Sequence, residues 1–467
     1  MPLRALRARS VIRSRKLPTL AVVDSPFGNA RAPSEESRAA ARRGMFASLS
    51  YRDFRYLWAG SLCSSFAMNI QLVARGYLIY EMTRSATHLA WVTLAFMLPQ
   101  VILSLLGGVL ADRLPKKMLM SGAQSLNCLA AVLMAYIVFT HRVTFWHFVA
   151  LGVFNGTLLA LSMPSRQSII PEVVGQAQIM NAIALNSASM NLARIVGPAL
   201  SGGLIALFDV EGEVPYLGVG LVYVIIALLY LGAAVTVQFV RAAGLAERRA
   251  KSGVLADMRE GIAFIRNSRV LMGLVVTGTF PMMFGMPLQN LMPAFSRSVL
   301  HGGAEQLGFL MTSLGVGAIV GTLGLAQAGD IERKGRVLFA GCAVWGTGIL
   351  LFTFAGTFAV ALPLVALAGV FSSAVTALNR TLMQLEAPDG LRGRVMSVDQ
   401  MTNGLMPLGV LPIGYLSDVI GVQHALQVSA LVLLALTALA CWKLPEIRAL
   451  RHRPGPHEVR STGSDAA

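Results

Sequence analysis

Residues Gly107 to Met120 read Gly-Gly-Val-Leu-Ala-Asp-Arg-Leu-Pro-Lys-Lys-Met-Leu-Met. This stretch joins two apolar runs, each about long enough to cross a bilayer, through a hairpin that holds only charges and a turn. It is therefore a connector at one membrane face. Gly107 and Gly108 lack side chains, so the end of the preceding helix can approach a neighbour closely. Asp112 places a carboxylate at the membrane edge, Arg113, Lys116 and Lys117 mark that edge as cytoplasmic, and Pro115 fixes the turn.

The composition of the whole chain agrees with that reading. A soluble globular protein carries about 25% charged residues, whereas this chain of 467 residues has 13% charged and 55% hydrophobic residues. It is a polytopic membrane protein. Its 45 glycines and 20 prolines fit the class, because neighbouring helices satisfy the backbone groups that helix breakers free. Cys63, Cys128, Cys342 and Cys441 fall in four different apolar runs without paired spacing, so neither a disulfide framework nor a metal site is indicated. No nucleotide loop, nucleophile motif or cofactor signature is present, so no enzyme activity and no cofactor are expected.

From Phe54 onward twelve apolar spans are predicted, at about 55–80, 87–111, 117–140, 144–165, 179–207, 216–240, 270–296, 305–328, 336–356, 358–385, 394–418 and 422–442. An even number puts both termini on one side. Of the 39 Lys and Arg residues, 33 lie in the two tails and the even-numbered loops, three in the opposite loops and three within spans. That asymmetry places both termini in the cytoplasm and gives the net charge of +16 a topological meaning, so no nucleic acid partner is expected.

Residues 1–44 are Arg-rich and Pro-interrupted and read as a disordered basic tail. Met1 to Lys16 is basic and free of acids, which a mitochondrial presequence would also be. Met45 opens the run Met-Phe-Ala-Ser-Leu-Ser-Tyr-Arg-Asp-Phe, and a start at Met45 is the preferred reading. The first half, 45–240, is followed by a linker, 241–269, then a second half, 270–443, and a cytoplasmic tail, 444–467. Within the linker Leu255, Met258, Ile262 and Ile265 share one face, which predicts an amphipathic helix along the membrane surface.

The halves repeat. Asp330 to Arg336 follows span 8 as Asp112 to Lys117 follows span 2, and Pro164-Ser-Arg-Gln at the end of span 4 is matched by Asn379-Arg-Thr-Leu-Met-Gln near the end of span 10. Transporters built from such repeats place their site at the interface between halves.

The pattern Gly-x-Leu-Ala-Asp-Arg-x-x-Lys-Lys of the hairpin resembles the loop between helices 2 and 3 of the major facilitator superfamily, with Pro115 where that family prefers Gly. Four further stretches resemble its branch of enterobactin exporters and macrolide efflux proteins: Tyr51-Arg-Asp-Phe-Arg-Tyr-Leu-Trp58, Pro164-Ser-Arg-Gln-Ser-Ile-Ile-Pro171, Gly197-Pro-Ala-Leu-Ser-Gly-Gly203 and Leu391-Arg-Gly-Arg-Val-Met396. The third approximates the span 5 signature of efflux antiporters, with Ala193 and Ser201 in place of two glycines. The arginine that drug antiporters of this kind carry in the interior of span 4 is missing. The resemblance implies an all-α membrane protein of twelve helices in two six-helix halves, in the inner membrane of a bacterium. It also implies export of a small amphiphilic molecule driven by protons.

A charge inside a span costs at least about 2.5 kcal/mol on insertion scales, so each needs a reason. Arg75 in span 1 shares a stripe with Ser64, Met68 and Gln71, beside Asn69. Arg194 in span 5 shares one with Ser187 and Asn191. The resemblance puts both spans at the central cavity, which two guanidiniums would make electropositive and suited to an anionic substrate. The alternatives for Arg75 are snorkelling or a pair with Glu81. Span 7 carries Pro281, Pro287 and Pro293 with Phe280 and Phe284, a bendable apolar wall. Asn403 in span 11 completes the cavity candidates. At the cytoplasmic mouth Asp112, with Arg113 and Lys116 on its loop, is expected to meet Arg166 and Arg394, and Asp330 to meet Arg380. Gly197 and Pro198 supply close packing for gating. Asp399 is the coupling candidate, flanked by Arg392 and Arg394 on its own helix.

These residues predict a secondary transporter with a small-molecule substrate, protons and membrane lipid as partners, acting as a monomer. The competing readings are an importer or facilitator of an anionic metabolite on the same fold, and a transport-dead receptor or scaffold that works through the linker helix and the basic tails.

Overall fold

The computed structural model describes residues 46–208, 214–241, 254–329, 331–388 and 391–450, and all regular structure in them is helical. The expectations for residues 1–44 and for Asp330 lie outside the described residues, as do the side chains of Asp112 and Asn403. The first half holds α1 (Arg52–Thr83), α2 (Ala86–Arg113), α3 (Lys116–Phe139), α4 (Phe145–Ser168), α5 (Ile179–Ala206) and α6 (Tyr216–Gln238). The linker forms α7 (Val254–Asn267). The second half opens with α8 (Arg269–Gly285), α9 (Pro287–Asn290) and α10 (Met292–Ser298), then α11 (Ala304–Gln327), α12 (Lys334–Thr353) and α13 (Phe358–Glu386). It closes with α14 (Arg392–Thr402), α15 (Met406–Ile420) and α16 (Val422–Lys443).

Among the described residues ten helices are long and apolar enough to cross a membrane. The two predicted spans outside that set depart for separate reasons. Helix α5 is 28 residues long but polar, because Asn181, Asn186, Ser187, Ser189, Asn191 and Arg194 run through it. Span 11 is interrupted by a 3-10 turn, Asn403–Leu405, between α14 and α15. Span 7 is also broken, and the breaks obey proline. Pro287 and Pro293 sit in the first turns of α9 and α10, where the missing N–H would have had no intrahelical acceptor.

The packing repeats between the halves. In the first, α2 lies on α4, α3 on α6, and α1 on α5 and α6; in the second, α11 lies on α13, α12 on α16, and α8 on α15 and α16. Glycine sets the closest crossings. A Cβ on Gly107 would strike the Ala160 carbonyl, and one on Gly156 the Phe96 carbonyl. At the equivalent crossing Gly317 faces the Ala366 carbonyl and Gly369 that of Leu314. The close approach expected of Gly107 is therefore made, with α4 as the neighbour.

Helix α7 packs on α14 and α8 and marks the linker end of the bundle. Its expected apolar face is divided: Ile265 is buried in the core while Ile262 is 42% exposed. Glu260 reaches Arg394 at 2.5 Å, and Gly261 lets the Arg394 backbone approach so closely that a Cβ would lie 3.1 Å from its carbonyl oxygen. The helix thus docks on the start of α14 as well as presenting an outer side.

Candidate functional site

The halves meet through α5 against α11 and α2 against α15, and the ties between described residues include a group at the end opposite the linker, the far end. The Asp418 carboxylate, near the end of α15, accepts from Ser85 Oγ and Ala86 N, both at 2.6 Å, and from Thr87 N at 3.1 Å. The second half thereby caps the start of α2 in the first. Arg297 Nε on α10 lies 2.9 Å from Glu81, which also accepts from Arg84 at 2.6 Å. Thr93 donates to Asn290 Oδ1 at 2.9 Å, and Thr312 to the Ile195 carbonyl at 2.8 Å. A Cβ on Gly202 would strike the Ala304 carbonyl and come within 3.0 Å of Gly308 Cα.

At the linker end the first half holds polar contacts of its own. Lys116 pairs with Glu172, and Lys117 donates to the Gln238 and Val240 carbonyls at 2.6 and 2.9 Å. Asp53 accepts from Arg241 N at 3.0 Å. Arg394 reaches Glu260 on α7, and Arg166 reaches into the first half, donating to Ser64 Oγ and, at 3.4 Å, to the Ser61 carbonyl; the Asp112 side chain expected to meet them lies outside the described ones. Arg113 is exposed.

Inside the first half Arg75 is packed over the Phe96 ring at 5.9 Å. Among the described residues it has no hydrogen-bond acceptor. It lies within electrostatic reach of the Tyr223 and Tyr230 hydroxyls on α6, and Tyr230 is likewise within reach of Arg166. Gln71 lies beside Tyr223. The alternative pair of Arg75 with Glu81 is not formed, since Glu81 holds Arg84 and Arg297 instead. Arg75 and Gly76 also line a pocket of about 330 Å³ against Gln289, Asn290 and Pro293 of the second half.

Arg194 is exposed, two turns from exposed Ser187 and opposite Leu192. Its carbonyl meets Gly315 of α11. Asn191 is half-buried on the same helix, while Asn69 turns back to the Ser65 carbonyl at 2.8 Å, against Gly197. Gly197 and Pro198 are buried at the crossings of α5 with α1 and α11. Phe280 is buried in the core, with Phe284 packed at its margin, and Asn403 opens the 3-10 turn.

The second half holds a different polar cluster. Arg380 Nε on α13 lies 3.3 Å from Asp399 Oδ2 on α14, in a pocket of about 350 Å³ that Asn379, Thr402, Gly278 and Trp345 also line. Asp399 had been expected to face Arg392 and Arg394, one turn away on its own helix. The arginine that meets it comes from the neighbouring helix.

Sequence reasoning missed Asp418, Arg297, Tyr223 and Tyr230. The tyrosines carried a signal, standing seven residues apart on one face of an otherwise apolar span. Asp418 carried little, because its value depends on Ser85 arriving from the other half.

The family profile described as a transmembrane secretion effector matches residues 43–460. Macrolide efflux protein A of Streptococcus pyogenes is 26% identical over 411 residues, 85% of this chain and 97% of that protein. The staphyloferrin A transporter of Staphylococcus aureus is 22% identical, over 82% of this chain and 94% of that protein. The multidrug efflux pump Tap of Mycolicibacterium fortuitum is 25% identical, over 82% and 93%. In structure, a bacterial homologue of the human lysosomal transporter Spinster, inward-facing and occupied, superposes with a TM-score of 0.69 at 13% identity, covering 87% of this chain and 99% of that one. A bacterial homologue of the iron transporter ferroportin, inward-facing, gives 0.68 at 14%, covering 85% and 99%. These are membrane transporters of the major facilitator type and not enzymes.

Proposed function

The chain belongs to the transmembrane secretion effector family of major facilitator transporters, an efflux-type membrane carrier, and we propose that it exports a small anionic amphiphile, siderophore-like or drug-like, by proton-coupled alternating access. The observation that carries this reading is the set of ties that closes the far end through Asp418, Arg297 and the α5/α11 crossing. A carrier in that arrangement loads from the linker side, which the excess of Lys and Arg assigns to the cytoplasm. Arg75 and Arg194 supply positive charge along the pathway, and Asp399, held by Arg380, is the group whose protonation would release that pair. Gly197 and Pro198 keep α5 close to its neighbours during closure, and Asp112, Arg113 and Lys116 border the mouth that must close in turn. The names of the relatives, which speak of macrolide, staphyloferrin A and multidrug transport, support export and an amphiphilic substrate.

The test uses inside-out vesicles containing the full chain, an imposed proton gradient, and labelled anionic and neutral amphiphiles. Gradient-dependent accumulation of an anionic amphiphile inside the vesicles is expected, and it should vanish when the gradient is collapsed. Accumulation only in right-side-out vesicles would make the carrier an importer. No movement of any member of the set in either orientation would favour a scaffold.

A further inference from the structure

Charge bookkeeping in the first half leaves an unanswered excess. Between Phe54 and Phe208 the sequence contains only three acids, Glu81, Asp112 and Glu172. All three lie at helix ends: Glu81 in the last turns of α1, Asp112 in the last turn of α2, and Glu172 in the one-turn helix Ile170–Val174 after α4. Glu81 and Glu172 are already paired. Arg75 and Arg166 nevertheless enter the interior of this half. Helices do not keep unpaired guanidiniums at depth without a reason, because the environment that makes them costly also strengthens any anion they meet. The second half cannot supply the counter-charge through Asp399, which Arg380 holds.

Two details say what the missing group is. The Tyr223 hydroxyl, on a residue with no exposed surface, makes no hydrogen bond of good geometry and has only the Gln71 side chain alongside, while half-buried Arg75 has no acceptor among the described residues. A buried donor poorly met is expensive, and a guanidinium without an acceptor at this depth is too, so both can take an incoming anion. The planar guanidinium offers two parallel N–H groups, which match the two oxygens of a carboxylate. Tyr223 adds a third donor. Arg166 is held by Ser64 and Ser61 and contributes positive field at Tyr230, which Arg75 also reaches, rather than a free fork. Phe96 lies under Arg75, and Arg75 also lines the pocket of about 330 Å³ that Gln289, Asn290 and Pro293 close from the second half. The cluster therefore has an open side at Arg75.

Resting on the export reading above, we propose that this cluster is an anion subsite that takes the carboxylate of an amphiphilic organic acid, with Arg75 and Tyr223 as the direct donors and Arg166 as the second positive charge. Arg194, exposed on α5, is not part of it. The subsite selects the acid over its neutral amide of the same shape.

The experiment measures thermal stabilisation of the purified full chain in lipid nanodiscs by 2-naphthoate and decanoate, each against its neutral amide. The carboxylates should raise the unfolding temperature in a concentration-dependent way and the amides should not. Arg75→Gln should weaken carboxylate binding about tenfold or more, the size of a lost charge-assisted pair, without lowering the stability of the unliganded protein, since it also removes a buried charge. Should Arg75→Gln fail to fold, Tyr223→Phe removes one oxygen and keeps the ring packing. It should weaken binding several-fold. Equal binding of acid and amide, no response to either acid, or unchanged binding in the foldable variants would overturn the proposal. Loss of vesicle transport with intact carboxylate selectivity would instead count against the export reading alone.

Discussion

Arg380 and Asp399 face each other at 3.3 Å, the aspartate side chain 9% exposed and the arginine 39%. Replacing Asp399 with Asn leaves Arg380 without its ion-pair partner. Because that arginine is over a third exposed, water screens it, and the stability cost should be nearer the about 1 kcal/mol of a surface pair than that of a fully buried one. The functional effect should be larger. Asp399→Asn is expected to abolish acceleration of efflux by a proton gradient yet preserve substrate exchange at equal pH. Gradient-driven efflux that survives in the variant would move coupling to another group. That Asp399 needed a partner was legible in the sequence, since it is an acid inside an apolar run. Its partner was not. Spacing along one helix names residues one turn away, whereas the choice between Arg394 and Arg380 depends on the rotation of α14 against α13, and Arg394 had been taken by Glu260 of a helix from the linker.

At the scale of elements, apolar periodicity found nearly every helix to within a few residues, because a span must be long and hydrophobic whatever it packs against. The breaks were half legible. Three prolines announced the bending of span 7, and two of them do open new helices. Span 11 was read as continuous although Gly404 and Pro407 flank the point where α15 begins, a glycine and proline pair that disfavours an uninterrupted helix. The α5/α11 crossing turns the Gly-Pro-x-x-x-Gly stretch of span 5 into a steric statement. The Pro198 carbonyl would lie 2.6 Å from a Cβ on Gly308, and Gly202 has no room for any side chain. Gly202→Val must push α11 away by more than side-chain adjustment can absorb, since the atoms it meets are backbone. The far end should open. A cysteine at Leu200 or Phe309 should label faster from that side in the variant, and an unchanged rate would mean that the crossing is not part of the gate.

For the molecule as a whole, the two repeated halves could be read from the paired loops and from Arg166 and Arg380. Which end is shut could not, because both ends carry charges, and the two packings of one sequence differ by only a few kcal/mol. The structure permits an estimate of how firmly the far end is held. Moving a two-state equilibrium from one extreme to the other takes about 5.5 kcal/mol, while a single hydrogen bond contributes about 0.5 to 1.5 kcal/mol and one to a charged group about 1.5 to 3 kcal/mol. No single tie should decide the state. Arg297→Gln removes the link across halves but leaves Glu81 paired with Arg84, so no buried charge is orphaned. Asp418→Asn keeps one acceptor oxygen for the start of α2 and loses the rest. The two sites share no partner, so their effects should add. Each substitution alone is expected to shift the population toward a far-end-open form about two- to tenfold, and the double variant by roughly the product. Spin-label distances across the far end, between α2 and α15, measure this directly. The long-distance population should grow in steps from wild type through the single variants to the double, whereas distances that stay fixed in the double variant would place the latch in the α5/α11 crossing alone.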